Sequence, residues 1–102
     1  MHQTPVLEGT LALMAKDYES EALAVIDGTE VSVYARFTVF TDGPTKSWHG
    51  SIASEEPGFG FKATTANRVV LRMPNGKEGT VVPNRSDGGP QVSFTGSGPA
   101  PV

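Results

Sequence analysis

From Val31 to Val39 the chain alternates apolar and polar residues at every step. Val31, Val33, Ala35, Phe37 and Val39 fall on one side of an extended strand, and Ser32, Tyr34, Arg36 and Thr38 fall on the other. A second short apolar run, Val69-Val70-Leu71-Arg72-Met73, is closed by Pro74-Asn75-Gly76. Pro presets φ at the second turn position, Asn suits the third, and Gly takes the left-handed position that follows. Asp27-Gly28 is a hairpin signal of the same kind, with Glu21 to Ile26 as the partner of Thr29 to Phe40.

The remaining strands follow from the same reading. Leu7 to Met14 is a first strand. Residues 11–26 are ambiguous, because Leu11, Met14, Ala15, Tyr18, Ala22 and Val25 also fall near helical spacing. Two strands joined by Lys16-Asp17-Tyr18-Glu19-Ser20 are preferred to a helix there. Ser47 to Ser54 is a strand around Trp48 and Ile52, and Glu55 to Asn67 is a loop whose Phe59 and Phe61 plug the barrel end. Arg68 to Met73 and Lys77 to Val82 pair across the Asn75-Gly76 turn. Pro83 to Pro90 is a loop, and Gln91 to Thr95 is the last strand. Seven short strands with this turn chemistry predict an all-β fold, a small antiparallel, partly closed β-barrel. Alternation supplies its core: Ala22, Ala24, Ile26, Val31, Val33, Ala35, Phe37, Val39, Trp48, Ile52, Val69, Leu71, Met73, Val81, Val92 and Phe94.

Length and composition bound the rest. With 102 residues the chain is expected to be one domain, 1–102, with 1–6 and 97–102 as flexible termini or, for the second, a strap. The 12 Gly and 8 Pro fit short strands and many turns. There is no cysteine, which removes disulfides and thiolate metal sites. No Lys or Arg precedes Lys16, so the basic start of a signal peptide is missing, and a soluble cytoplasmic protein is expected. Net charge is −3, with seven acids and three bases in residues 1–51. That balance opposes nucleic acid, whose phosphates call for clustered Lys and Arg. No run is long and apolar enough for a membrane helix.

Several segments together resemble a family of small bacterial domains of unknown function, mostly from actinomycetes, found alone or appended to flavin-dependent monooxygenases. They are Tyr18 to Phe37, Trp48-His49-Gly50-Ser51-Ile52, Val69 to Lys77, and the tail Thr95-Gly96-Ser97-Gly98-Pro99-Ala100-Pro101. The resemblance covers about 80 residues in the same order. The approach to Trp48, Thr41 to Ser47, is shorter and less aromatic than is usual in the family, and no aromatic follows the prolines. The resemblance implies a compact β-barrel and no particular activity.

Candidate chemistry is sparse. His49 should point away from Trp48, beside Ser47 and Ser51, without an evident orienting carboxylate. Glu55-Glu56 are adjacent and so diverge, which suits a solvated loop better than paired acid/base work. Two histidines without cysteine weigh against a zinc site. Gly58-Phe59-Gly60-Phe61 lacks the spacing of a phosphate loop. No cofactor is expected. The residues expected to form a ligand or partner site are Tyr34, Arg36, Trp48 and His49. The sequence therefore points to a non-enzymatic binding or accessory module with a protein partner, and to neither nucleic acid nor a membrane. The alternative is a small-ligand binder or enzyme with a pocket at the barrel mouth.

Overall fold

The computed structural model describes residues 13–86 and 90–102. Within them the chain forms six strands and one short helix. The strands are β1 (Leu13–Ile26), β2 (Thr29–Asp42), β3 (Thr45–Ala53), β4 (Val69–Arg72), β5 (Glu78–Ser86) and β6 (Gln91–Ser97), with helix α1 (Phe59–Thr65) between β3 and β4. All pairings are antiparallel, and the order β1-β2-β3-β6-β5-β4 closes on itself as a barrel. Two three-stranded meanders are joined by the segment carrying α1, which brings β4 back beside β1 in Greek-key fashion. Closure is fuller than the partly closed barrel expected, and it removes sheet edges where it applies.

The alternation in β2 becomes a strict inside-outside pattern, with Val31, Val33, Ala35, Phe37 and Val39 buried. The expected core is buried throughout, except that Ala22 is only partly covered. Trp48 lies at its centre, 2% exposed, edge-to-face with Phe37 at 5.4 Å and with Phe94 at 5.5 Å. Its indole rests over two positions that have no Cβ. A Cβ at Gly96 would overlap the ring, and one at Gly79 would come within 2.8 Å of it. The Trp48 Nε1–H donates to the Gly98 carbonyl at 3.0 Å, so the polar end of the ring is satisfied inside the core.

Both expected hairpins form. Asp27 and Gly28 have φ of 48° and 91°, the two positive values of the tight turn whose twist matches its strands. At the other hairpin Gly76 has φ 86°, Gly76 N–H donates to the Met73 carbonyl, and Lys77 N–H donates to Asn75 Oδ1 at 2.8 Å.

Three local expectations change, and of the two readings of the tail one forms. Lys16 to Ser20 is not a connection: β1 runs through it as one strand of 14 residues, and no helix forms over 13–26. The Leu7–Ala12 part of the expected first strand lies outside the described residues. Pro83 to Ser86 continues β5 across a bulge between Pro83 and Arg85, where the ladder tolerates a residue without an N–H. The expected loop over Glu55 to Asn67 contains α1, whose Phe59 and Ala63 are buried one turn apart while Phe61 is 73% exposed. Only Phe59 therefore plugs the barrel. The tail is a strap rather than a flexible terminus, with Pro101 fully buried and Lys77 Nζ donating to the main-chain oxygen of Val102 at 3.1 Å.

Beyond the barrel, β1 and β2 continue as an arm. β4 covers β1 only from Leu23 to Ile26, so Met14 to Ala22 pair with β2 alone among the described residues. β3 accompanies β2 along the arm as far as Thr45.

Candidate functional site

Parity along β2 and its register with β3 bring three of the four expected site residues to one face. Tyr34 is opposite Ala53, Arg36 opposite Ser51, and Thr38 opposite His49. Tyr34, Arg36 and His49 thus share the outward side of the β1-β2-β3 sheet in adjacent rows. Trp48 lies on the other side, in the core, and the sheet separates it from them.

The same register adds outward residues of β1, two of which, Asp17 and Glu19, the sequence reading placed in a connection. Asp17, Glu19 and Glu21 alternate on the outward side of β1, opposite Thr38, Arg36 and Tyr34. Thr38 Oγ1 donates to Asp17 Oδ1 at 2.6 Å, and Arg36 Nε pairs with Glu19 Oε1 at 3.2 Å. Both members of that ion pair are more than half exposed, so water screens it. The signal was present as Asp17, Glu19 and Glu21 alternating with Tyr18, Ser20 and Ala22.

His49 stacks on Phe40 at 5.1 Å between ring centroids, with 24° between the planes. Among the described residues no carboxylate hydrogen-bonds to it. Asp17, which shares its cleft, is bonded instead to Thr38. Ser47 and Ser51 flank it on the same face, and no carboxylate among the described residues orients it toward either hydroxyl. Nor, among the described residues, is any group of three or more His, Asp or Glu placed to hold a metal ion.

Two open clefts lie over this face. One of about 600 Å³ is floored by Asp17, Glu19, Arg36 and His49. A larger one of about 1240 Å³ takes in Glu21, Tyr34, Glu30 and Glu55, with Met73 and Pro74 as apolar walls. Arg72 lies at its border, bonded to Glu78 Oε2 and Glu30 Oε2 at 2.7 Å each. Hydrogen bonds first with Glu78 and then with Glu30 push the Arg72 guanidinium above its ordinary pKa and hold it charged. Carboxylates therefore outnumber bases along the face, which favours positive over negative ligands.

Comparison with protein-family models, curated proteins and solved structures finds no match for this chain. The class of protein that the geometry itself defines is a closed six-stranded antiparallel barrel with a projecting arm. No helix among the described residues is long and apolar enough to cross a membrane.

Proposed function

We propose that this protein is a non-enzymatic binding module whose partner is a protein, contacted through the outward face of the arm. The observation that carries this reading is the division between the two sides of one sheet. The inside is filled by Trp48, Phe37, Phe94, Phe59 and the aliphatic core, leaving no chemistry there to reach. The outside gathers Tyr34, 43% exposed, with Arg36 and His49 beside a row of carboxylates. Tyr and Arg are the residue types that most often anchor protein contacts, because they supply rigid area and charge-assisted hydrogen bonds. The acidic excess weighs against a phosphate backbone as ligand.

The test is capture of the native partner by the wild-type chain and by a Tyr34→Ala, Arg36→Ala double variant. Loss of capture with an unchanged melting temperature supports the face. Equal capture by both chains removes it.

A second reading, a small-ligand binder, is favoured by the larger cleft, where carboxylates converge beside an apolar wall. Its acidic lining suits an ammonium group with an apolar body. A melting temperature raised by an alkylammonium probe, and not by the matching alkylcarboxylate, would favour it.

A further inference from the structure

We infer that the free edge of β1, from Met14 to Ala22, is a docking edge that adds one extended protein segment with Lys or Arg at alternate positions. The inference rests on the binding-module reading and names the class of partner.

Strand β1 is bonded to β2 along its whole length, but β4 covers only its last four residues. Among the described residues nothing pairs with the other side of Met14 to Ala22. Roughly 30 Å of backbone thus offers unpaired N–H and C=O groups. Such an edge is a template for strand addition, in which main-chain bonds give affinity and alternate side chains give selectivity.

The side chains decide what can pair there. An added antiparallel strand sets every second residue beside Asp17, Glu19 and Glu21 on the outward side. The others fall beside Met14, Lys16, Tyr18, Ser20 and Ala22. On that inward side Tyr18 stacks on Phe37 at 5.3 Å, and Met14 is 64% exposed. The complementary segment is therefore basic on one side and apolar on the other. Thr38 and Arg36 engage Asp17 and Glu19 through single contacts, which leaves carboxylate lone pairs for a second donor.

A second copy of the chain does not fit. Two copies joined antiparallel through this edge, with matching faces, must centre their two-fold on a residue of β1. Centred on Lys16, the pairing sets Lys16 against itself. Centred on Asp17 or Glu19, it sets that carboxylate against itself. Centred on Tyr18, it sets Asp17 against Glu19, and on Ser20 it sets Glu19 against Glu21. Like charges directly opposite destabilise each of these registers, which are the ones that overlap more than three residues of the edge. Residues 1–12 of this chain hold no Lys or Arg and do not supply the complementary charge.

The test uses the full chain and synthetic peptides of about nine residues, near the length of the edge. The probe alternates Lys and Val. Two further versions carry N-methyl groups on one or the other alternate set of residues, and a last version replaces Lys by Glu. Strand addition predicts that the Lys/Val peptide binds and the Glu/Val peptide does not. One N-methylated set should lose about tenfold or more in affinity and the other little, because only one set faces β1. Glu21→Lys in the protein should weaken binding by a similar factor. Two results overturn the edge. One is no binding by any peptide. The other is slow amide exchange, in the free protein, at the residues of Met14–Ala22 that are not bonded to β2. If both N-methylated versions bind as well as the parent, and Tyr34→Ala with Arg36→Ala abolishes that binding, strand addition fails while the outward-face reading stands.

Discussion

The barrel and the arm share strands β1, β2 and β3, yet different forces hold them. In the barrel each strand has a neighbour on both sides, and the inward residues meet across a packed interior. In the arm β1 has one neighbour among the described residues, and of its inward residues Tyr18 is partly covered while Met14 and Lys16 are exposed. The alternation never breaks between the two regions; what changes is which residues alternate. On the inward side of β1, Ala24 and Ile26 give way to Met14, Lys16 and Tyr18, while the outward side carries a row of carboxylates. A strand that leaves its barrel with a polar outer face keeps its pairing to β2 and keeps the other edge apart from copies of itself.

The largest expected effect tests the barrel side. Trp48→Ala removes the ring that fills the space over Gly79 and Gly96 and should cost about 3–5 kcal/mol. Urea unfolding measures it, and a loss below about 1 kcal/mol would mean that the core closes without the indole.

The next concerns the seam where β4 meets β1. Asp27 Oδ1 accepts from the main-chain N–H groups of Asn67 and Arg68 at 3.0 Å each, and Asp27 N–H donates to the Arg68 carbonyl. Asp27→Ala removes those acceptors and puts Ala at positive φ, for an expected loss of about 1–2 kcal/mol. Asp27→Asn should restore a large part of it. If Asn is no better than Ala, the side-chain bonds do not hold the seam.

Gly76→Val should destabilise by about 1 kcal/mol or more, because a β-branched side chain is strained at φ 86°. An unchanged melting temperature would show that the turn has another conformation.

The smallest effect belongs to the arm. Arg36→Ala breaks an exposed ion pair with Glu19 and should change stability by no more than about 0.5 kcal/mol. A loss as large as that of Asp27→Ala would erase the contrast between the two regions.

The barrel was more legible in the sequence than the arm, for reasons that lie in the same contrast. Val31 to Val39 declare a strand because each inward side chain is apolar and each outward one is not. Asp27-Gly28 and Asn75-Gly76 declare turns because few other pairs accept those dihedral angles. Lys16 to Ser20 read as a connection because Lys, Asp and Glu have little intrinsic preference for strands. Their extended form comes from pairing with Val39 to Ala35, which no local pattern encodes. Helix α1 was hidden for a related reason. Phe-Gly-Phe-Lys-Ala-Thr-Thr is a poor helix former, and burial of Phe59 and Ala63 sustains a helix too short to stand alone. For the candidate face, parity put Tyr34 and Arg36 on one side of their strand and His49 on the side away from Trp48, and the pairing of β2 with β3 brings the three together. The carboxylates beside them became visible only with the register of β1.

The position of Trp48 has a spectroscopic consequence. It is the sole tryptophan, and its ring touches β5 at Gly79 while its N–H is held by Gly98 in the C-terminal strap. Its emission therefore reports more than the presence of a core. Loss of the strap would open the indole nitrogen to water and shift the spectrum to the red. The chain carries its own fluorophore at the seam between strap and barrel, and can signal the loosening of one from the other without a label.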